Sequence, residues 1–374
     1  MKIVINLLPF RKEMAGAGKY AKEITVALSK LDAENEYYLY GSQEIKKEFI
    51  DLGNNFHFFS ANFNPNYPFI RILWEQFVFP VKLKKLKPEV IFTPSVAIPF
   101  FLKGNFFTTV HDLAYKKNKY KYSFIRKIYI DIVTKIAVKK SLVIFTVSNF
   151  SKKEIESEFS LKNKKIFITY NGVNEIFFKD HASEEITNFK KTYNLPDNFI
   201  LYVGAVEPGK NLDKLFIAFS ELLRKYDLKL NLVLTSGVGW GTQKLVNLIE
   251  ELKIKDKVIF LPYIPEDTLP ILYKCSRMLT YLSEYEGFGI PVLEALAAGA
   301  PVITSKSEAI TEFSNEIAVS VNPGQIDDIV NGMYKIINDR DFVNSKILKG
   351  KEQAEKFKWL NSAKIIYEQI LLMK

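Results

Sequence analysis

A chain of 374 residues is too long for one ordinary core and points to two domains; 48% hydrophobic and 25% charged residues make it globular, neither disordered nor fibrous. One cysteine, Cys275, excludes an internal disulfide framework, and with only His57, His111 and His181 beside it a structural zinc site is not expected; a reducing, cytoplasmic setting is. The net charge of +10 is uneven: residues 1–177 hold 28 Lys/Arg against 16 Asp/Glu and the remainder 24 against 26, which implies an anionic partner for the first half.

The opening MKIVINLLPF is too short in its apolar stretch for a signal peptide and reads as a strand, Lys2–Leu8. No run approaches the ~18 apolar residues of a membrane span, so the chain is expected to be soluble or peripheral. Further strands are predicted at Tyr37–Tyr40, Phe56–Ala61, Val90–Pro94, Phe106–Val110 and Leu142–Ser148, from their β-branched and aromatic residues. Helical spacing of apolar residues marks Lys19–Leu31, Ile70–Leu86 and Phe124–Lys140. The pattern lapses into a polar stretch at Glu175–Pro196, the best linker, and then restarts. Strand Phe199–Val203, helix Leu212–Tyr226, strand Leu228–Leu234, helix Gln243–Leu252, and strands Val258–Leu261 and Met278–Leu282 follow. Helix Pro291–Ala298 and strand Pro301–Thr304 come next, and Phe357–Leu372 is apolar at helical spacing. Alternation of this kind means βαβ units and parallel sheets, hence two doubly wound α/β domains with the cleft between them as the expected site.

The segment SEYEGFGIPVLEALAAGAPVITS, Ser283–Ser305, is the richest in chemistry. A strand runs into the loop Gly287-Phe288-Gly289; Pro291 suits the first helical position and Gly299 the C-terminal cap. Free amides and the positive end of the dipole at such a helix start attract an anion, and glycines let it approach the backbone. Glu286 and Glu294 flank this start. Glu294 has a bland explanation, an acid favoured in a first helical turn; Glu286, in the loop, has none. Acids beside a phosphate site make sense if they accept hydrogen bonds from hydroxyls, and sugar and ribose hydroxyls are the natural donors. The residues therefore point to a sugar nucleotide.

The run EGFGIPVLEALAAGAPVI closely resembles the donor-site signature of the family 4 retaining glycosyltransferases. The resemblance extends through Gly16-Ala17-Gly18, Thr109-Val110-His111-Asp112-Leu113, Thr146-Val147-Ser148-Asn149-Phe150-Ser151-Lys152, Tyr170-Asn171-Gly172-Val173, and Tyr202-Val203-Gly204 leading to Glu207-Pro208-Gly209-Lys210-Asn211. It implies a GT-B fold of two Rossmann-like domains facing a central cleft: 1–177 for the acceptor, 178–356 for the nucleotide sugar, and 357–374 as a helix crossing back to the first domain. It further implies that Glu294 binds the ribose and that Glu286 contacts the donor sugar. The amides of Phe288 and Gly289, with Gly287 and Ile290 beside them, would hold sugar hydroxyls and phosphate. Lys210 would neutralise the departing diphosphate, where a cation stabilises developing charge. His111 would contact the donor sugar, Asp112 would orient it or meet the acceptor, and Gly16 and Gly18 would form a loop admitting the diphosphate and acceptor. Similar enzymes need no divalent metal, and no Asp-x-Asp motif stands at a strand end, so no cofactor or obligatory metal is expected. One departure is plain: Ala205 and Gly209 stand where the family usually carries an arginine.

After His111 the chain reads AYKKNKYKYSFIRKIYI, with Lys116, Lys117, Lys119, Lys121, Arg126 and Lys127 interleaved with Tyr115, Tyr120, Tyr122 and Phe124. Such a mixture suits an anionic bilayer, and equally a solvated loop; no nucleic-acid motif is present. The expectation is a retaining hexosyltransferase for surface-polysaccharide assembly. Mannose from GDP-mannose is favoured, with UDP- or dTDP-sugars close behind, and the acceptor is a glycan or a lipid-linked sugar at the cytoplasmic membrane face. The alternatives are another enzyme on the same scaffold, a phosphorylase or epimerase, and a non-catalytic sugar-nucleotide-binding subunit.

Overall fold

The computed structural model describes residues 1–11, 16–64, 67–117, 123–161, 164–235 and 242–374. It divides into two compact units. The first takes in Met1–Lys117, the stretch from Ser123 to Gly172, and Lys358–Lys374; the second takes in Val173–Phe357.

The first unit holds seven strands: β1 (Lys2–Asn6), β2 (Glu36–Ser42), β3 (Phe56–Ala61), β4 (Val90–Thr93), β5 (Phe106–Thr109), β6 (Val143–Thr146) and β7 (Lys165–Ile168). All pair in parallel, in the order β3-β2-β1-β4-β5-β6-β7. Strands covered on both faces read as unbroken apolar runs, which is why VIFT serves for both β4 and β6 and every residue of each is buried. The predicted helix Phe124–Lys140 forms with those bounds. Ile70–Leu86 does not form as one helix: Pro68–Leu73 and Phe79–Leu86 are α-helical, but Trp74–Val78 widens into a π-turn. Pro80 is the reason, since it has no N–H to give the preceding turn and its ring crowds the carbonyl four residues back.

The final helix, Trp359–Leu371, packs on helix Ala17–Leu31 of the first unit. Its entry explains one sequence motif. A Cβ on Gly172 would lie 2.3 Å from the Trp359 amide nitrogen, so no other residue fits there. Ser362 donates to the Tyr170 carbonyl at 2.6 Å beside it. Tyr170-Asn171-Gly172 is thus a packing seat for the returning chain.

The second unit holds β8 (Phe199–Val203), β9 (Asn231–Thr235), β10 (Val258–Leu261), β11 (Met278–Tyr281), β12 (Val302–Ser305) and β13 (Val319–Val321), again parallel, in the order β10-β9-β8-β11-β12-β13. Strand β9 starts at Asn231 rather than Leu228, because pairing with β8 begins at Phe199↔Asn231. The polar stretch 175–196 holds a 3-10 turn, Glu175–Phe178, and the helix Ser183–Thr192. Helices Leu269–Cys275, Glu308–Ser314, Ile326–Asn338 and Arg340–Ala354 and the three-residue β13 lie beyond the segments marked from sequence.

Candidate functional site

In each sheet the order of strands reverses once: between β1 and β4 in the first unit, and between β8 and β11 in the second. Helices leave the two central strands in opposite directions at such a point, and the carboxyl ends of those strands frame a crevice.

In the second unit the crevice is framed by residues 204–211, after β8, and 282–289, after β11. Three bonds lock these loops. Asn211 Nδ2 donates to the Leu282 carbonyl at 2.7 Å, the Glu284 amide to the Gly209 carbonyl at 2.8 Å, and Ser305 Oγ to the Ser283 carbonyl. Each loop ends in a helix start, at Leu212 and at Ile290. Gly289 makes the second turn possible: its φ is +105°, and a Cβ there would approach Ile310 Cγ1 to 2.9 Å. Helix Ile290–Ala298 runs between left-handed glycines at 289 and 299, with Pro291 in its first turn.

Between the loops the structure brings together Lys210, Glu286 and Tyr281. Lys210 Nζ is ion-paired with Glu286 Oε1 and donates to the Tyr281 hydroxyl oxygen at 3.2 Å; that hydroxyl donates to Glu286 Oε1 at 2.9 Å. The two charged side chains are only 17% and 15% exposed, so the pair works in a medium of reduced dielectric. Burial alone would lower the lysine pKa, but Tyr281 and Glu286 outweigh it and hold the ammonium well above the usual lysine range. Burial, with Glu286 adding to it, pushes Tyr281 above the normal phenol range, so it remains a neutral donor. Tyr202 stacks on Tyr281 at 6.4 Å and bonds the Ala205 carbonyl at 2.8 Å, bracing the face of the triad. Ala205 and Gly209, the positions lacking an arginine, leave Lys210 as the cation in this cluster.

Glu294 lies in the second turn of its helix, not the first, and is 4% exposed. The helix-dipole explanation for it therefore fails. Its Oε2 accepts from the Tyr273 hydroxyl at 2.9 Å, and burial and that carboxylate together hold the tyrosine well above its usual pKa. Phe288 turns its ring into the core, stacked on Phe313 at 4.7 Å, so only its backbone is available to a ligand. Gly287 and Ile290 are also buried. Tyr281 and Tyr273 escaped the sequence reading, because an aromatic at the end of a strand or helix looks like core. Their only signal is position, Tyr281 closing β11 just before the glycine loop.

In the first unit His111 stands just beyond β5. Its Nε2 lies 2.9 Å from the carbonyl of Pro94, which follows β4; a carbonyl can only accept, so the neutral ring carries its hydrogen on Nε2 and keeps Nδ1 as acceptor. The edge of Tyr20 meets the ring at 4.9 Å, and the Tyr20 hydroxyl is tied to Thr169 at 2.8 Å and Thr109 at 3.3 Å. Burial lowers the His111 pKa, against the pull of the Pro94 carbonyl and Asp112. Asp112 Oδ1 accepts from the Ala114 amide at 2.8 Å, an Asx turn that leads into the short helix Ala114–Lys117. Gly16, at φ +59°, precedes helix Ala17–Leu31, but Gly18 lies inside its first turn, so the expected loop Gly16-Ala17-Gly18 is a helix start.

The basic run is altered more. Lys116 is committed to Asp131, at 3.0 Å, and to Glu158, and Lys117 to Glu154 at 3.6 Å. Lys119, Tyr120, Lys121 and Tyr122 lie outside the described residues, while Arg126 and Lys127 sit on helix Phe124–Lys140.

Two family models match nearly end to end: Glycosyltransferase Family 4 over residues 14–176 and Glycosyl transferases group 1 over residues 183–356. The chain belongs to the family 4 glycosyltransferases. This glycosyltransferase is 25% identical over 370 residues to the O-antigen chain mannosyltransferase B of Escherichia coli, covering 96% of this chain and 97% of that one. It is 29% identical over 301 residues to the O-antigen chain mannosyltransferase RfbU of Salmonella typhimurium, covering 76% and 80%. Its fold is GT-B. A sucrose-phosphate synthase from Thermosynechococcus elongatus superposes with a TM-score of 0.83 at 18% identity over all of both chains. Anabaena HepE, in complex with UDP and glucose, does so with 0.77 at 15% over 99% of each.

Proposed function

We propose that this glycosyltransferase moves mannose from GDP-mannose to a hydroxyl of a glycan or lipid-linked acceptor, with retention of anomeric configuration, in the assembly of a surface polysaccharide. The second unit would hold the donor and the first the acceptor. The observation that carries the reading is the buried Lys210–Glu286–Tyr281 cluster at the strand reversal of the second sheet, beside two helix starts. A lysine held charged in a partly dry crevice is what a departing diphosphate needs. A carboxylate already aimed by two donors has lone pairs left for a sugar hydroxyl. The amides opening helix Ile290–Ala298 suit the phosphates, and Glu294, fixed by Tyr273, suits the ribose. His111, neutral with Nδ1 as acceptor, suits a further sugar hydroxyl.

In the reaction the bond from the anomeric carbon to the phosphate oxygen breaks while the acceptor oxygen bonds the same face. The acceptor proton passes to the leaving phosphate, whose charge Lys210 stabilises. Glu286 assists electrostatically, without a covalent intermediate. Mannose is favoured because relatives that align along most of the chain are mannosyltransferases. The basic excess of residues 1–177 supports an acceptor met at an anionic surface.

The test is a panel of GDP-, UDP- and dTDP-sugars, scored by nucleoside diphosphate release with and without acceptor and by NMR of the product anomer. GDP-mannose should turn over fastest and give an α-linked product. A β-linked product removes retention, and release from UDP- or dTDP-sugars alone reassigns the donor. No release from any donor removes the transferase reading.

A further inference from the structure

Helices Pro68–Leu73 and Phe79–Leu86, joined through the π-turn, and helix Phe124–Lys140 cover the same face of the first sheet. Phe79, Leu83 and Ala137 enter one core cluster with Val4, Tyr40, Ile91 and Phe106. Tyr129 of one helix bonds Arg71 of the other, which sets them side by side. The loop carrying Phe101 is clamped to both. Gln76 donates to the Ile98 carbonyl at 3.1 Å and accepts from the Phe100 amide at 2.8 Å; Lys140 Nζ donates to the carbonyls of Pro99, Phe100 and Leu102 at 3.0, 2.7 and 2.6 Å.

A helix on a sheet normally turns a polar face to water. These do not. Phe69, Leu73, Phe77 and Val81, spaced at i, i+4, i+8 and i+12, are all exposed, as are Phe124, Ile125, Ile128 and Ile132 on the neighbouring helix. Phe77, Ile125 and Phe101 expose 67%, 80% and 91% of their surface. Phe101 is not exposed through slack, since Gln76 and Lys140 fix its loop.

The charges around this ridge have one sign. Within 67–87 and 123–140 the acids are Glu75 and Asp131 alone. Glu75 is 3% exposed and paired with Arg71 at 2.8 Å; Asp131 is paired with Lys135 at 2.6 Å and Lys116 at 3.0 Å. Lys82, Lys84, Lys85, Arg126, Lys135 and Lys139 are exposed along the two helices. A second copy of the chain docking by two-fold symmetry would bring like charges together. An anionic bilayer accepts both the apolar ridge and the basic rim.

We propose that this two-helix face, with Phe101, inserts into the interface of an anionic membrane, anchoring the first unit by buried apolar side chains and orienting it by its basic rim. This rests on the reading of an acceptor met at an anionic surface and names the part of the chain that meets it. It differs from attraction by the lysine run after His111, of which Lys116 is already committed to acids. Salt screens charges but not apolar burial, so the two mechanisms separate.

The experiment is sedimentation of the full chain with vesicles of phosphatidylglycerol and phosphatidylethanolamine, or of phosphatidylcholine alone, at low and high salt. Binding should require the anionic lipid and persist in part at high salt. Replacing Phe77→Ser together with Phe101→Ser should lower the vesicle partition by roughly tenfold or more per side chain at either salt. Lys82, Lys84 and Lys85 changed to Gln should remove mainly the salt-sensitive part. Both sets are surface changes, and an unchanged melting temperature would verify the fold. No binding to anionic vesicles at low salt overturns the proposal, as does binding that high salt abolishes and the Ser variant retains. A dimer in free solution that the Ser variant dissociates overturns it in favour of a second copy. Nucleoside diphosphate release with a soluble acceptor, measured on the same preparations, tests the transferase reading separately: turnover without vesicle binding sinks only the docking face, and vesicle binding without turnover sinks only the catalytic reading.

Discussion

Replacing Lys210 with methionine keeps the length of the side chain and removes its charge. A unit charge about 4 Å from a phosphate oxygen, at an effective dielectric near 20, is worth about 4 kcal/mol. The leaving phosphate gains only part of a charge in the transition state, and Glu286 retains part of the lysine's field. The surviving effect is about 2–3 kcal/mol, a loss of roughly 10²-fold in kcat. The same change leaves the carboxylate of Glu286, 15% exposed, with Tyr281 as its donor in the cluster, so a stability cost of about 1–3 kcal/mol is also expected. Melting curves would separate that cost from lost catalysis. Turnover of the wild type and of Lys210→Met, followed by nucleoside diphosphate release at saturating donor, gives the primary number. Because Lys210 and Glu286 touch, their effects should not add: Lys210→Met with Glu286→Gln should lie close to the more damaging single variant. A Lys210→Met enzyme that folds and keeps kcat within about threefold of wild type would refute the placement of Lys210 on the leaving group.

Three other outcomes follow from neighbouring residues. Glu294→Ala should mainly weaken binding of the free nucleoside diphosphate, by about tenfold or more. Tyr273→Phe should do so less, through the loss of the bond that aims Glu294; calorimetry showing both variants at wild-type affinity would put the ribose elsewhere. Burial lowers the pKa of His111, so kcat/KM should show no inflection at ~6.5, where an ordinary histidine titrates. The unfolded chain takes up that proton before the native chain does, so the contribution to stability is present above ~6.5 and declines as pH falls below it. His111→Gln should flatten the decline, and denaturation midpoints that fall with rising pH across this range would contradict the assignment. Activity should also withstand prolonged chelation, and loss restored by Mg²⁺ or Mn²⁺ would show a required metal.

The residues by themselves determined most of the central strands and the outline of the chemistry. A buried parallel strand must be apolar along its length, so Phe199–Val203 is readable from sequence, and the apolar edge strand Val258–Leu261 is too, both with the bounds they have in the fold. Gly289, Pro291 and Gly299 announce a short helix with an open start for the same local reason, since each satisfies a backbone geometry that few residues tolerate. The order of motifs marked the family. What sequence did not hold is partnership. Lys210 meets Glu286 across 76 residues and Tyr281 across 71, because the strand order reverses between β8 and β11 and sets their following loops side by side. Glu294 is fixed by Tyr273 on another helix. Lys116 read as one cation of a basic run until the fold placed Asp131 and Glu158 against it, and only the fold shows that Phe77 and Phe101 turn outward. Charge, size and polarity are properties of a residue, but the dielectric around it and the group it faces belong to elements distant in the chain, so only tertiary packing assigns them.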